Sequence, residues 1–190
     1  ALEAETLQKW VNARNEVNYY FQKAGYQKIN INQKTFPIPG MDSPEGRDLQ
    51  IRNFHDENLG ESLPVRNYLT TFETSRLLYE IEKGLAISPG YSQKAKDYLR
   101  HDHHPDDWKD KPFNSIEGFF GEFLPQEVEL FTKIGYTQEF GRQEAAIIKD
   151  ENVHFILVVF ASDPIFSSED SKGLSILAKT TYDLMIERAI

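Results

Sequence analysis

The sequence predicts a mixed α/β chain of the α+β type, an antiparallel three-stranded sheet flanked by helices. Three observations carry this. Residues 3–24 place Leu7, Trp10, Val11, Val17, Phe21 and Ala24 close to the spacing of one helix face. Residues 127–161 instead alternate or run apolar in three short stretches separated by turn residues, the pattern of consecutive strands. Residues 170–188 return to helical spacing, with Leu174, Leu177, Ala178, Thr181, Leu184 and Met185 on one face. At 190 residues the chain is expected to fold as a single domain, residues 1–190, large enough to bury a core.

The elements follow in order. Gly25 closes the first helix where a left-handed residue belongs. Ile29 and Ile31 alternate within residues 28–36, which suits a short strand or extended segment. Residues 37–64 carry prolines, glycines and charges with no sustained period, and are expected to form a long omega-type loop. Thr70-Thr71-Phe72-Glu73 is a capping box that opens a second helix, with Thr70 as N-cap and Glu73 reaching back to it. Leu77, Leu78 and Ile81 form its buried stripe and Gly84 ends it. Ser88-Pro89 supplies the N-cap and first-turn proline of a third helix running to about Arg100. A polar loop, 101–114, leads to a short helix at 116–124 whose glycines allow close packing. Val128, Leu130 and Thr132 then alternate in a first strand, 142–149 form a second, and Asp150-Glu151-Asn152 turns into a third at 153–161. The third is apolar on both faces and is expected inside the sheet rather than at its edge.

Composition excludes some classes of function. A net charge of −9, with no stripe of Lys and Arg, argues against nucleic acid and against anionic lipid. Without cysteine there is no disulfide, thiol nucleophile or Cys-ligated zinc. The longest strongly apolar run, 153–161, is too short to span a bilayer. His101-Asp102-His103-His104, with Asp106 and Asp107, has the residue types of a metal site but reads as a polar surface loop, because adjacent loop residues rarely converge on one ion. No metal and no cofactor is expected. Tyr19-Tyr20-Phe21 and Phe119-Phe120 read as core aromatics, and His154 as a hydrogen-bonded core or edge histidine.

Several segments, in this order, resemble the C-terminal part of the class A β-lactamase-like, penicillin-recognising serine hydrolase superfamily. Arg66-Asn67-Tyr68-Leu69-Thr70-Thr71 is similar to the Arg-Asp-Thr-Thr-Thr that opens a helix after the family's omega loop. Leu124-Pro125 followed by Lys133-Ile134-Gly135-Tyr136 is similar to its Leu-Pro and Lys-Thr-Gly strand. Arg142-Gln143-Glu144-Ala145-Ala146-Ile147-Ile148 is similar to the Arg-Asn-Asp strand that follows. The resemblance implies acyl transfer on a β-lactam, a D-Ala peptide or a related ester or amide. It implies substrate contact at Lys133, Ile134, Gly135, Tyr136 and Arg142, with the Tyr136 N–H as half of an oxyanion hole. A small-molecule or peptidoglycan-type substrate and a periplasmic or extracellular setting go with it.

The departures from the family pattern matter as much. No serine has a lysine three residues later, so the Ser-x-x-Lys nucleophile is missing, as is the Ser-Asp-Asn motif. The chain therefore reads as an incomplete β-lactamase-like domain with no catalytic residue of its own. Ile134 replaces the hydroxyl residue of Lys-Thr-Gly and cannot donate to a carboxylate, a loss of about 1–3 kcal/mol. Glu45, Glu57 and Glu61 compete for the role of omega-loop base, and none lies in a Glu-x-x-Leu-Asn. These departures leave a second reading beside the hydrolase segment, a non-catalytic domain for binding or assembly. Arg142 is expected either to face Lys133 across the hairpin as an anion ligand or to be a turn residue. The third strand would lack a neighbour that the missing section supplies, exposing an apolar edge open to self-association.

Overall fold

A computed structural model describes residues 4–31, 67–112, 114–137, 141–167 and 171–189. The expected omega-type loop, with Glu45, Glu57 and Glu61, lies outside the described residues, as do Arg66 and Asp170. Contacts group the chain into two compact units, Ala1–Glu73 and Thr74–Ile190.

In the first unit, α1 (Ala4–Lys23) ends as its sequence predicts. Gly25 takes φ +84°, and the N–H groups of Gly25 and Tyr26 return to Gln22 and Phe21 carbonyls at 2.9 and 3.0 Å. Its apolar stripe does not bury as a whole. Val11 is buried, whereas Trp10, Val17, Tyr19 and Tyr20 are exposed; the side chain of Leu7 lies outside the description. The other buried position is Asn18, one heptad from Val11. Its amide accepts from Ile31 N–H and donates to Asn30 Oδ1, both at 2.7 Å. A helix lying beside backbone needs such a group, because buried N–H donors left unpaired are costly. β1 (Ile29–Asn30) pairs antiparallel with β2 (Tyr68–Leu69). Thr70 Oγ1 accepts from Glu73 N–H at 3.2 Å, as the capping box requires. The Glu73 carboxylate does not complete the box in return. It accepts from the N–H groups of Gln27 and Lys28 at 2.8 and 3.3 Å.

After α2 (Thr71–Glu82) and α3 (Pro89–Leu99) the second unit is built on one sheet. The Ser88 side chain caps α3 by accepting from Tyr91 N–H, with Pro89 in its first turn. The sheet has four strands, not three: β3 (Arg100–His101), β4 (Glu129–Thr137), β5 (Gly141–Lys149) and β6 (His154–Ala161), antiparallel and in that order. β3 straddles the expected end of the third helix at Arg100 and the start of the polar loop, and two residues are too few to show alternation. The same loop holds a single turn, α4 (Pro105–Trp108). The segment 116–124 is a turn with a 3-10 helix, Phe120–Glu122, rather than a helix throughout. Close packing holds there, since a Cβ on Gly121 would stand 2.9 Å from Leu130 Cδ2.

The pleat divides the sheet's side chains between two cores. One face carries Leu130, Ile134, Ala146 and Ile148 under Phe119, Phe120 and Leu124 and under Leu174, Ala178 and Tyr182 of α5 (Gly173–Ala189). The other carries Phe131, Ala145, Ile147, Ile156 and Val158 against Leu78 of α2 and Leu99 of α3. The buried line of α5 runs through Leu174, Ser175, Ala178 and Tyr182, so it is rotated from the expected face and leaves Leu177 and Leu184 exposed. Ser175 sits inward because its hydroxyl donates to Glu122 at 2.8 Å. Among the described residues β6 pairs only with β5: its two apolar faces suggested a place inside the sheet, whereas the incomplete-domain reading left it without a second neighbour. Among those residues no helix is long and apolar enough to cross a membrane.

Candidate functional site

The five predicted contact residues lie on β4 and β5, but the pleat separates them. Lys133 and Gly135 share the face of Phe131; Ile134, Tyr136 and Arg142 share the other. Lys133 stands opposite Ala145, not Arg142, whose partner across the hairpin is Tyr136. Beyond Phe131, the side of β4 away from β5 has no strand partner among the described residues. That open edge runs along Lys133, Ile134, Gly135 and Tyr136, whereas Arg142 lies on β5 behind it.

Lys133 is exposed there, and its Nζ donates to the Ile134 carbonyl at 2.6 Å. Among the described residues it makes no ion pair with a carboxylate. Gly135 is small for a local reason: a Cβ there would meet Gln143 Oε1 at 3.2 Å. The Gln143 amide passes over it and donates to Ala161 O at 3.3 Å. Ile134 turns away from the edge and packs against the first core.

Arg142 is buried rather than presented to solvent. Its Nε donates to Phe166 O at 2.8 Å and one terminal nitrogen to Glu117 O at 2.9 Å. The guanidinium lies 4.9 Å from the Phe119 ring and 5.4 Å from that of Tyr136. Gly118, at φ +74°, makes room for it, since a Cβ at that position would fall 1.8 Å from the guanidinium. Arg142 thus ties the 116–124 turn and the segment after β6 to the end of the hairpin, under Tyr136.

Beside Arg142 lies a group that sequence reasoning passed over. Glu144 is 1% exposed. It accepts from Phe120 N–H and from Thr132 Oγ1, both at 2.7 Å. Burial pushes its carboxyl up to about 7, against the lowering effect of the two hydrogen bonds. The signal was a lone carboxylate opening the apolar run Ala145-Ala146-Ile147-Ile148.

The histidines of 101–104 diverge. His101 Nδ1 meets Leu99 O, His103 is buried with Nε2 at 2.9 Å from Val128 O, and His104 caps α4. Among the described residues no three or more His, Cys, Asp or Glu are grouped to hold a metal. His154 lies at the start of β6 with Nε2 at 3.2 Å from Glu82.

Comparison with known proteins bears on this arrangement. No curated protein and no solved structure matches the chain. The family model described as the Beta-lactamase enzyme family matches residues 5–185. That span takes in nearly all of α1 and of α5 and the hairpin with Lys133-Ile134-Gly135, so the chain belongs to the beta-lactamase enzyme family.

Proposed function

We propose that this chain forms one wall of a β-lactamase-like acyl-transfer site, the wall that receives the substrate's carboxylate and carbonyl oxygen. The observation that carries this reading is Lys133: a cation on the open edge of β4, without an ion pair among the described residues. Lys133 supplies charge to the carboxylate, Gly135 lets the substrate approach the backbone, and the Tyr136 N–H donates to the developing oxyanion. Ile134 contributes core packing in place of a hydroxyl, and Arg142 supports the wall from beneath Tyr136. The nucleophile is not supplied here, because no serine stands in a Ser-x-x-Lys. Substrates are of the β-lactam, D-Ala peptide or related ester and amide classes. The absent nucleophile motif and the turned-in Ile134 also favour a second reading, a non-catalytic domain that binds without acylation.

Intact-mass spectrometry after incubation with a reactive β-lactam or a fluorophosphonate tests the first half: the polypeptide should gain no adduct. A covalent adduct on this chain would refute both the external nucleophile and the non-catalytic reading. Titration with a carboxylate-bearing β-lactam tests the wall. Lys133→Ala should weaken binding about tenfold, the loss of one charge-assisted contact at a partly exposed site. Unchanged affinity would remove Lys133 from the site.

A further inference from the structure

Glu144 sits directly behind the wall. It stands opposite Ile134 in the β4–β5 register, on the face that also carries Thr132 and Tyr136. Its carboxyl is therefore one strand in from the edge where Lys133 lies, about 10 Å from a ligand held there. Among the described residues it is bonded by Phe120 N–H and Thr132 Oγ1 and by no cation. At 1% exposure, a charge on it acts through protein rather than water, where its field is screened least.

The site accepts both charge states. Ionised, Glu144 accepts from Phe120 N–H and Thr132 Oγ1, each at 2.7 Å. Protonated, it donates to Thr132 Oγ1, whose own hydrogen then turns to Ala145 O at 3.4 Å. Both partners adjoin Lys133: Thr132 precedes it, and Ala145 stands opposite it. A buried group satisfied in both states titrates in place instead of unfolding its surroundings.

Of the charged and titratable groups around it, Glu144 is the one that burial carries into the neutral range. Arg142, on the same face of β5 and over the Tyr136 ring, is permanently charged. On the 116–124 turn, Glu117 is exposed and pairs with Lys172. Burial pushes Glu122 up, but bonds from Lys172, Gly118 N–H and Ser175 outweigh it and hold the group below its ordinary range. Burial draws Lys172 down, and its pairing with Glu122 and Glu117 outweighs that and raises it. On α5 the inward ionisable group is Tyr182, pushed up to about 12 by burial and by Asp150. β6 presents Leu157, Val159 and Ala161 on this side, none of them ionisable. Glu144 itself is pushed up by burial to about 7, against the pull of its two bonds.

We infer that Glu144 sets, by its charge, which ligands the wall accepts: neutral, it leaves the Lys133 edge open to an anion; ionised, it opposes one. The inference rests on the reading of residues 133–136 as the wall that receives a carboxylate. The linkage runs both ways. A carboxylate at Lys133 disfavours charge on Glu144, so binding draws a proton onto it. Loss of that proton as pH rises through about 7 correspondingly weakens the ligand. Over about 10 Å of protein, reduced by solvent and salt, the coupling is roughly three- to tenfold in affinity. A ligand without a carboxylate does not feel it.

The test uses the whole 190-residue chain, a penicillin with one carboxylate, and the methyl ester of the same compound. Between about pH 5.5 and about pH 8.5 the penicillin stays ionised. Its dissociation constant should rise roughly three- to tenfold over that range, while that of the ester changes less than about twofold. Calorimetry near pH 7, in buffers of different ionisation heat, should find roughly 0.3–0.5 proton taken up with the penicillin and none with the ester. In Glu144→Gln the penicillin should bind in base as tightly as it binds the parent in acid, without proton uptake. The calorimetry on the unaltered chain does not depend on that variant folding. Penicillin affinity that is flat with pH overturns the inference, as does an equal fall for the ester or in a folded Glu144→Gln variant. If the profile is flat but Lys133→Ala still weakens the penicillin, the wall stands and only the part given to Glu144 falls. If the parent and Lys133→Ala bind the penicillin alike, or neither binds it, the wall reading fails and this inference with it.

Discussion

Glu144 shows how much can rest on a single side chain. Its carboxyl is shut between the sheet and the Phe120 turn, with two donors and no cation bonded to it. Unfolded, it titrates near its ordinary 4.5; folded, burial holds it at about 7. Between those values the folded chain keeps a proton that the unfolded chain releases, so this group's contribution falls as pH rises through the window. The full loss is roughly 3 kcal/mol, reached above pH 7. Glu144→Gln removes the titration. Its amide can still accept from Phe120 and donate to Thr132, whose hydroxyl already lies 3.4 Å from the Ala145 carbonyl. Denaturant unfolding at pH 5 and pH 8 should therefore find the variant close to the parent in acid and more stable than it in base. Parallel pH profiles for the two proteins would show that Glu144 does not titrate in this range.

Among elements, the β5–β6 hairpin shows what sequence reveals and what it conceals. The turn was legible in Asp150-Glu151-Asn152, because Asp and Asn bond their own backbone at such positions. Asp150 Oδ1 accepts from the N–H groups of Asn152 and Val153 at 2.6 and 2.9 Å. Its other oxygen accepts from Tyr182 of α5, a contact between residues 32 apart that no local pattern encodes. Burial pushes the Asp150 carboxyl up, but these bonds outweigh it and hold the group below its usual range, while Tyr182 is pushed up to about 12. The same contact helps explain why the helix buries Tyr182 instead of Leu184. Helical spacing placed an apolar stripe correctly in kind but not in rotation, since the polar anchors Ser175 and Tyr182 fix the helix about its axis. Asp150→Ala should cost about 1–2 kcal/mol and Tyr182→Phe about 1 kcal/mol. The double variant should cost less than their sum, because one bond is counted in both. Strict additivity in denaturant melts would mean that the two side chains do not support each other.

For the whole molecule, what can be read in advance depends on how far apart in the chain a feature is written. The longer helices and strands, the capping residues and the Lys133-Ile134-Gly135 strand were readable because each is written in neighbouring residues, whereas the two-residue β3 and the 3-10 turn at Phe120–Glu122 were not. The neighbours of β6 were not written there: an apolar run on both faces states that a strand wants neighbours without saying which segments supply them, and among the described residues only β5 does.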